Sequence, residues 1–398
     1  MASVRRTSVV ASIGSATLVA LLLLGVAHRD GLNPRRSAVP GLDDAALHLA
    51  TVTRLRAGVP YYVAVGTELR TRGYPAASVS NWRTPLHYRA VAALGLTRAG
   101  QVLTVCALAA IGLAAISLRS RFRGSALVAA IVLLGTMLPA LLNRPAAVVM
   151  AEIWAGVLIA LSLAAYHFRR WTAGALVGVL AIFVRELAAP YGLVCGVLAW
   201  REQRRAEGAV WVIGGFVYAA YFAFHAGAVM AAVQPTDYAW PQSWLRWLGW
   251  PFVLQTAWVS GWTIQLPYLA TPIVAVLALA GTAARSMPPQ LRWSLLAYVL
   301  VFSAVGQEFN FYWGFVTAPL WAYALLYTPE GLRALCRPVE RIQGGDRSSA
   351  ATSLPDSEEQ SWRRAKGTED AQVEAAPRQP RAVTSSADPS VSPGATHR

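Results

Sequence analysis

Ten stretches of this chain are apolar over 13–21 residues, six of them close to the thickness of a lipid bilayer, and they leave little room for another architecture. The first is "SVVASIGSATLVALLLLGVA", residues 8–27. The others lie at roughly 100–118, 125–142, 146–166, 172–184, 188–200, 209–228, 265–283, 294–306 and 315–327. A run of about 20 apolar residues crosses the hydrocarbon core as a helix, because a helix satisfies its own backbone polar groups there. The run at 188–200 is short for this and reads as a broken or tilted helix. Charged residues make up 14% of the chain, against roughly 25% in a soluble domain, too few to cover a water-facing surface. The expected fold is an all-α polytopic membrane protein with about 10 transmembrane helices.

The connectors set the orientation. "RSRFR" (119–123), "HFRRW" (167–171), "REQRR" (201–205) and the segment 285–292 are basic. The alternate connectors, "NRP" (143–145), "RE" (185–186), the 229–250 loop and "GQEFNFYWG" (306–314), carry at most one Arg each. Basic connectors stay in the cytoplasm, so both termini are expected there. The start of the chain, with Arg5 and Arg6, resembles a secretory leader. Its apolar core is long for one, and it reads as a retained first helix. From Thr328 onward ten basic and ten acidic residues cancel, so the net charge of +15 belongs wholly to the part before it. No basic tract is interleaved with aromatics, which argues against nucleic acid as a partner. Lys366 is the single lysine; with the abundance of Ala this suggests a GC-rich genome, and hence the inner (cytoplasmic) membrane of a bacterium. The chain divides into a membrane domain, 1–327, with a long outer loop at 28–99, and a cytoplasmic tail, 328–398. The tail is rich in Ser, Pro, Ala and acids from about 344 and is expected to be disordered.

Before Thr328 there are ten acidic residues, and in this topology all but Glu202 and Glu207 face outward. Glu152 lies about 10 Å inside its helix from the outer end, at 1.5 Å per residue. A charge inside the bilayer persists when it is paired or faces a polar cavity. Arg144 is about two turns away from it, and Arg185 and Glu186 interrupt "LVGVLAIFVRELAAPYGL" at its outer end. Ion pairs that lock helices would account for each residue singly. The cluster as a whole points to an outward-facing polar cavity.

In the outer loop, "DDAALHLATVTRLRAG" reads as a helix with Asp43 and Asp44 at its start, where the dipole favours anions, and Gly58 closing it. Leu47, Leu49, Val52 and Leu55 give it an apolar side, and His48 shares a face with Asp44. Such a helix is expected to lie as an amphipathic helix along the outer membrane surface. One acid suffices for a cap, so the pair leaves one over.

A first helix running outward, an acidic pair, and an amphipathic helix ending in "AGVPYY" together resemble the membrane glycosyltransferases of the GT-C fold. These use polyprenyl-phosphate-linked sugars and include the protein O-mannosyltransferase-like enzymes. The topology carries the resemblance over residues 8–327; the local match is confined to 43–62 and "YPAASVSNWRTPL" (74–86). In that family an aspartate of the first outer loop is the general base on the acceptor, and arginines bind the donor phosphate. The resemblance therefore implies a base at Asp43 or Asp44, without deciding between them. It also implies a polyprenyl-phosphate sugar as donor, and a glycan, lipid or protein as acceptor. Arg144, Arg185 and Arg83 are the candidate phosphate ligands, since Arg grips phosphate bidentately. His48, His87, Glu152, Glu186, Gln307, Glu308 and Trp244 are candidates to orient them or to bind sugar. No cofactor is required; a divalent metal on Asp43 or Asp44 is compatible with the residues, but nothing in the spacing demands it.

The segment 238–262 holds six of the fifteen Trp residues, and Trp240, Trp244 and Trp247 have helical spacing. It reads either as an interfacial aromatic belt or as a groove for a prenyl chain or sugar ring. Two other classes compete with the enzyme: a secondary transporter and a non-enzymatic scaffold for envelope assembly. The transporter reading is disfavoured by charges near one face rather than at the midplane, and by the lack of a two-fold repeat. The topology is checked by labelling from outside. A cysteine placed at Ser78 should react with an impermeant reagent and one at Ser348 should not; equal labelling would overturn the orientation.

Overall fold

Where they are described, the apolar runs are largely helical, and so is most of 44–99. The computed structural model describes residues 2–27, 44–135, 145–260, 266–267 and 269–336, with side chains from Ile13 onward except at 125, 126, 129, 133 and 135. These contain α1 (Ala2–Ala27), α2 (Asp44–Arg56), α3 (Tyr61–Thr71), α4 (Pro85–Leu94), α5 (Leu96–Leu118), α6 (Ser125–Gly135), α7 (Pro145–Val149) and α8 (Ala151–His167). The second half contains α9 (Trp171–Val184), α10 (Ala189–Arg201), α11 (Arg205–Ala232), α12 (Gly249–Trp258), α13 (Ala270–Gly281), α14 (Pro289–Ala304), α15 (Gly314–Leu326) and α16 (Thr328–Cys336). Short 3-10 turns cover Val79–Asn81, Glu186–Ala188 and Glu308–Trp313. The fold is all-α. Among the described residues there is no strand, and one isolated bridge pairs Leu245 with Val305.

Two helices, α5 with 23 residues and α11 with 28, are long and apolar enough to cross a membrane. Shorter apolar helical segments, of 10–17 residues, are Ile13–Val26, Ala151–His167, Trp171–Val184 and Ala270–Gly281. The run at 146–166 is divided at Met150, which is extended (φ −84°, ψ 107°). Glu152 is therefore not deep within one long helix; it sits in the first turn of α8, where the dipole favours an anion. The next run ends at Arg185, also extended (φ −153°, ψ 116°), at the C-terminus of α9, where a cation is favoured. Helices α8 and α9 follow one another through a tight turn at 168–170 and pack side by side, which returns Arg185 to Glu152. Each break thus places one charge where a helix end stabilises it.

The main core is formed by α8, α9, α10 and α12–α15, with Ile159, Tyr191, Leu254, Leu295 and Leu320 fully enclosed. Small residues let these helices approach closely, as they do in membranes. At Gly156 on α8, an added Cβ would stand 2.4 Å from the Phe315 carbonyl oxygen of α15.

The outer loop departs from its expectation. α2 is not a helix lying free on a surface; it packs between α3, α4 and α7. Its buried face holds Leu47 and Val52 but also His48 and Thr51, so the helix lacks the clean apolar stripe that a surface helix needs. With Tyr61, Val65, Leu69, Trp82 and Val91 it encloses a second core that rests on Val148 and Val149 at α7. Trp240, Trp244 and Trp247 do not share a helix. Residues 233–248 are irregular, held to the 73–78 turn by bonds from Ala77 N to the Tyr238 carbonyl and from the Tyr238 hydroxyl to the Gly73 carbonyl. The packed unit also runs past residue 327, since α16 packs on α13 and α1. Asp43, Arg144 and the tail from 337, including its expected disordered part, lie outside the described residues.

Replacing Gly156 by Ala should lower stability by about 1–3 kcal/mol, the cost of overpacking, even though Ala is the better helix former. Gly112 on α5 faces open space and is the control: its Ala variant should melt no lower than the parent. Equal melting points for the Gly156 and Gly112 variants would refute the close approach.

Candidate functional site

A cavity of about 810 Å³ opens between α2, the 74–83 segment, α7 and the start of α8, the break after α9, and residues 305–315. Four segments supply its polar groups. The first is the start of α2. Asp44 is in its first turn, and its Oδ1 accepts a hydrogen bond of 2.6 Å from the Tyr74 hydroxyl. Tyr74 reaches back because the chain turns just past the end of α3 at Gly73, whose φ of +70° is left-handed, with Tyr74 N bonded to the Leu69 carbonyl. One turn along α2, His48 lines the same wall, with Nδ1 bonded to the Tyr88 hydroxyl of α4.

The second segment carries Arg83. It follows the Val79–Asn81 turn and Trp82, whose ring is buried and whose Nε1 donates to the Ala76 carbonyl. From α11, His225 Nε2 donates to the Trp82 carbonyl at 2.9 Å, and the Tyr61 hydroxyl donates to the carbonyl of Arg83 itself. The backbone is thus fixed on both sides of the guanidinium. Arg83 Nη2 donates to the Tyr312 hydroxyl at 3.0 Å and lies 3.4 Å from Glu152 Oε1.

The third segment is the break after α9. Arg185 Nε donates to the same Glu152 oxygen at 2.7 Å, and its Nη1 meets Glu186. Glu152 is thus shared by two guanidiniums. It is fully enclosed, while the side chains of Arg185, Arg83 and Glu186 are 1%, 14% and 35% exposed. Arg83 is therefore the more exposed of the two cations, and both line the cavity. The fourth segment is aromatic. Trp244 stacks on Trp313 with centroids 6.0 Å apart, and Phe309 meets Trp240 edge-on at 5.2 Å.

Of the residues expected from sequence, Asp44, His48, Arg83, Arg185, Glu186 and Trp244 share this cavity wall, and Glu152 lies directly behind its two arginines. Others fall elsewhere. His87 is buried behind the wall, its Nε2 donating to the Val149 carbonyl at 3.1 Å, and ties α4 to α7. Gln307 is a brace: its Nε2 donates to the Ser243 carbonyl, and it caps the Glu308–Trp313 turn together with Asn310. Glu308 is exposed and faces Arg246 at 3.9 Å. Among the described residues no group of three His, Cys, Asp or Glu side chains could hold a metal.

Sequence reading missed Tyr74, Tyr88, His225 and Tyr312. Tyr74 and Tyr312 stand in stretches singled out for other reasons, 74–86 and 306–314. A tyrosine offers an apolar ring and a hydroxyl that needs a partner when buried; in apolar surroundings that is the one signal these residues carry. Comparison with family models, curated proteins and solved structures finds no match for the chain.

Burial pushes both His48 and His87 down to about 4, so both are neutral in the folded protein at pH 7. The unfolded chain, with ordinary imidazoles near 6.5, binds more protons between these values. Their contribution to stability is complete above pH 6.5 and is lost as the pH falls toward 4. The melting temperature should fall across that window, and less so in His87→Gln, which keeps a donor for Val149 but does not titrate. An identical pH response in parent and variant would count against a buried neutral His87.

Proposed function

We propose that this protein is a glycosyltransferase of the bacterial inner membrane, with the GT-C-like topology of about 10 spans and both termini in the cytoplasm. It moves a sugar from a polyprenyl-phosphate donor to an envelope acceptor at the outer face. The observation that carries this reading is a half-buried carboxylate, Asp44, and the more exposed guanidinium of the charge cluster, Arg83, lining one cavity. Asp44 has one oxygen held by Tyr74, which leaves the other for substrate. Arg83 is braced by Tyr312 and Glu152.

In the proposed reaction the acceptor hydroxyl gives its proton to Asp44 while its oxygen bonds to the anomeric carbon. The bond from that carbon to the phosphate oxygen breaks, and polyprenyl phosphate leaves with both electrons of the bond. Arg83 meets the charge that develops on the phosphate. Arg185 acts from behind: with Glu152 it fixes the position of Arg83. Glu186 sits at the rim. The aromatic wall offers apolar surface to a prenyl chain or sugar ring. A transporter would collect such groups midway along spanning helices; here they stand at helix ends and in the segment 44–83, which supports the enzyme.

The test is transfer of labelled sugar from polyprenyl phosphates by purified variants. Asp44→Asn preserves shape and capping ability and should lower turnover by roughly 10²- to 10⁴-fold, the usual share of acid–base catalysis. Arg83→Lys keeps the charge but loses the fork, and should raise the KM for donor. Asp43→Asn should be nearly silent. Near-parental rates for Asp44→Asn would remove the base from this reading, and a crippled Asp43→Asn with a normal Asp44→Asn would transfer the role.

A further inference from the structure

The start of α2 carries two polar side chains that are each held at one end and open at the other. Asp44 is anchored through Oδ1 by the Tyr74 hydroxyl, and His48 through Nδ1 by the Tyr88 hydroxyl. Both residues line the cavity. The second carboxylate oxygen of Asp44 and Nε2 of His48 make no hydrogen bond with the described residues. A buried phenol has one proton to give, and the partner atom of Tyr88 is a ring nitrogen. When Tyr88 donates, Nδ1 is the acceptor and the ring proton resides on Nε2. The wall then presents a fixed acceptor at Asp44 and a fixed donor at His48, four residues apart on one helix face, about 6 Å along the axis.

We propose that this pair reads two neighbouring hydroxyls of a saccharide acceptor: one hydroxyl donates to Asp44, and the next accepts from the Nε2 proton of His48. Resting on the function proposed above, this commits the acceptor to a sugar ring, in preference to the isolated hydroxyl of a serine or threonine. A lone hydroxyl engages Asp44 and leaves the His48 proton unmatched. A ring with adjacent hydroxyls satisfies both, and the neighbouring Trp244–Trp313 stack suits the apolar face of such a ring. His48 is in this account a specificity-determining residue; the proton that leaves the acceptor goes to Asp44.

The test uses the full chain in lipid nanodiscs and two readouts. The first is the nitrogen NMR spectrum of ¹⁵N-histidine-labelled protein. His48, assigned by loss of its signals in His48→Gln, should show the proton on Nε2 in the parent. In Tyr88→Phe it should show a mixture of tautomers. A proton on Nδ1 in the parent overturns the proposal.

The second readout is binding of octyl pyranosides and their monodeoxy forms, followed by saturation transfer. The parent pyranoside should bind, and removal of either of two adjacent hydroxyls should weaken it by about 3- to 10-fold, the worth of one hydrogen bond. In His48→Ala the same loss should already be present, and one of those two deoxy sugars should bind no worse than the intact one. Additive losses from the variant and from every deoxygenation overturn the proposal. So does a seryl peptide that binds His48→Ala and parent alike while no pyranoside binds. That last outcome leaves sugar transfer to a protein standing, and so separates this inference from the reading it rests on. Conversely, pyranoside binding that follows this pattern without any transfer retains the saccharide site and removes the enzyme.

Discussion

One enclosed carboxylate organises the site. Glu152 accepts from Arg185 and lies against Arg83, so three charges from three separate segments meet around a single oxygen. Burying a charge without a partner costs several kcal/mol, and removing one partner of a buried pair typically costs about 3–5 kcal/mol. The surrounding backbone reflects that penalty. The chain leaves helical geometry at Met150 and at Arg185, and each departure places a charge at the helix end that favours it. A straight helix through 146–166 would carry Glu152 along its side, away from the terminus that now stabilises it.

The remaining cavity groups are held by tyrosines in a repeated manner. Tyr74 anchors Asp44, Tyr88 anchors His48, and Tyr312 receives Arg83. Each hydroxyl fixes one polar atom of a residue that lines the cavity. Holding side chains this way restricts their rotamers before any ligand arrives, which lowers the entropy that binding must overcome.

The helical character of the chain was legible in its apolar runs, because hydrophobic periodicity and length report burial directly. The grouping of Glu152, Arg185 and Glu186 was suggested by the cost of burying charge, whereas Arg83 and His48 entered as candidates only through the family resemblance. Less legible was where helices break. Met150 has no sequence mark of an interruption; the requirement that creates the break is tertiary, the approach of Arg185 and Arg83 to Glu152. The packing of α2 was misread for a related reason. His48 and Thr51 look like a polar face, yet they are inside: His48 has Tyr88 as a partner and Thr51 bonds back to the Leu47 carbonyl. The tryptophans at 240–247 have helical spacing but an irregular backbone, because the segment is tied to the 73–78 turn and to Val305 instead.

The order in which these segments are made has a consequence for biogenesis. Asp44 and Arg83 emerge early, Glu152 and Arg185 follow, and Tyr312 comes near the end of the described chain. The closure of Arg83 onto Glu152 and Tyr312 joins residues far apart in sequence, and such contacts form slowly because a long loop must be ordered first. Until α9 is complete, Glu152 has no Arg185 beside it. The nascent chain therefore passes through an interval in which a carboxylate destined for full enclosure remains unmatched, and at that stage the half-built chain has the strongest physical reason to delay consolidation.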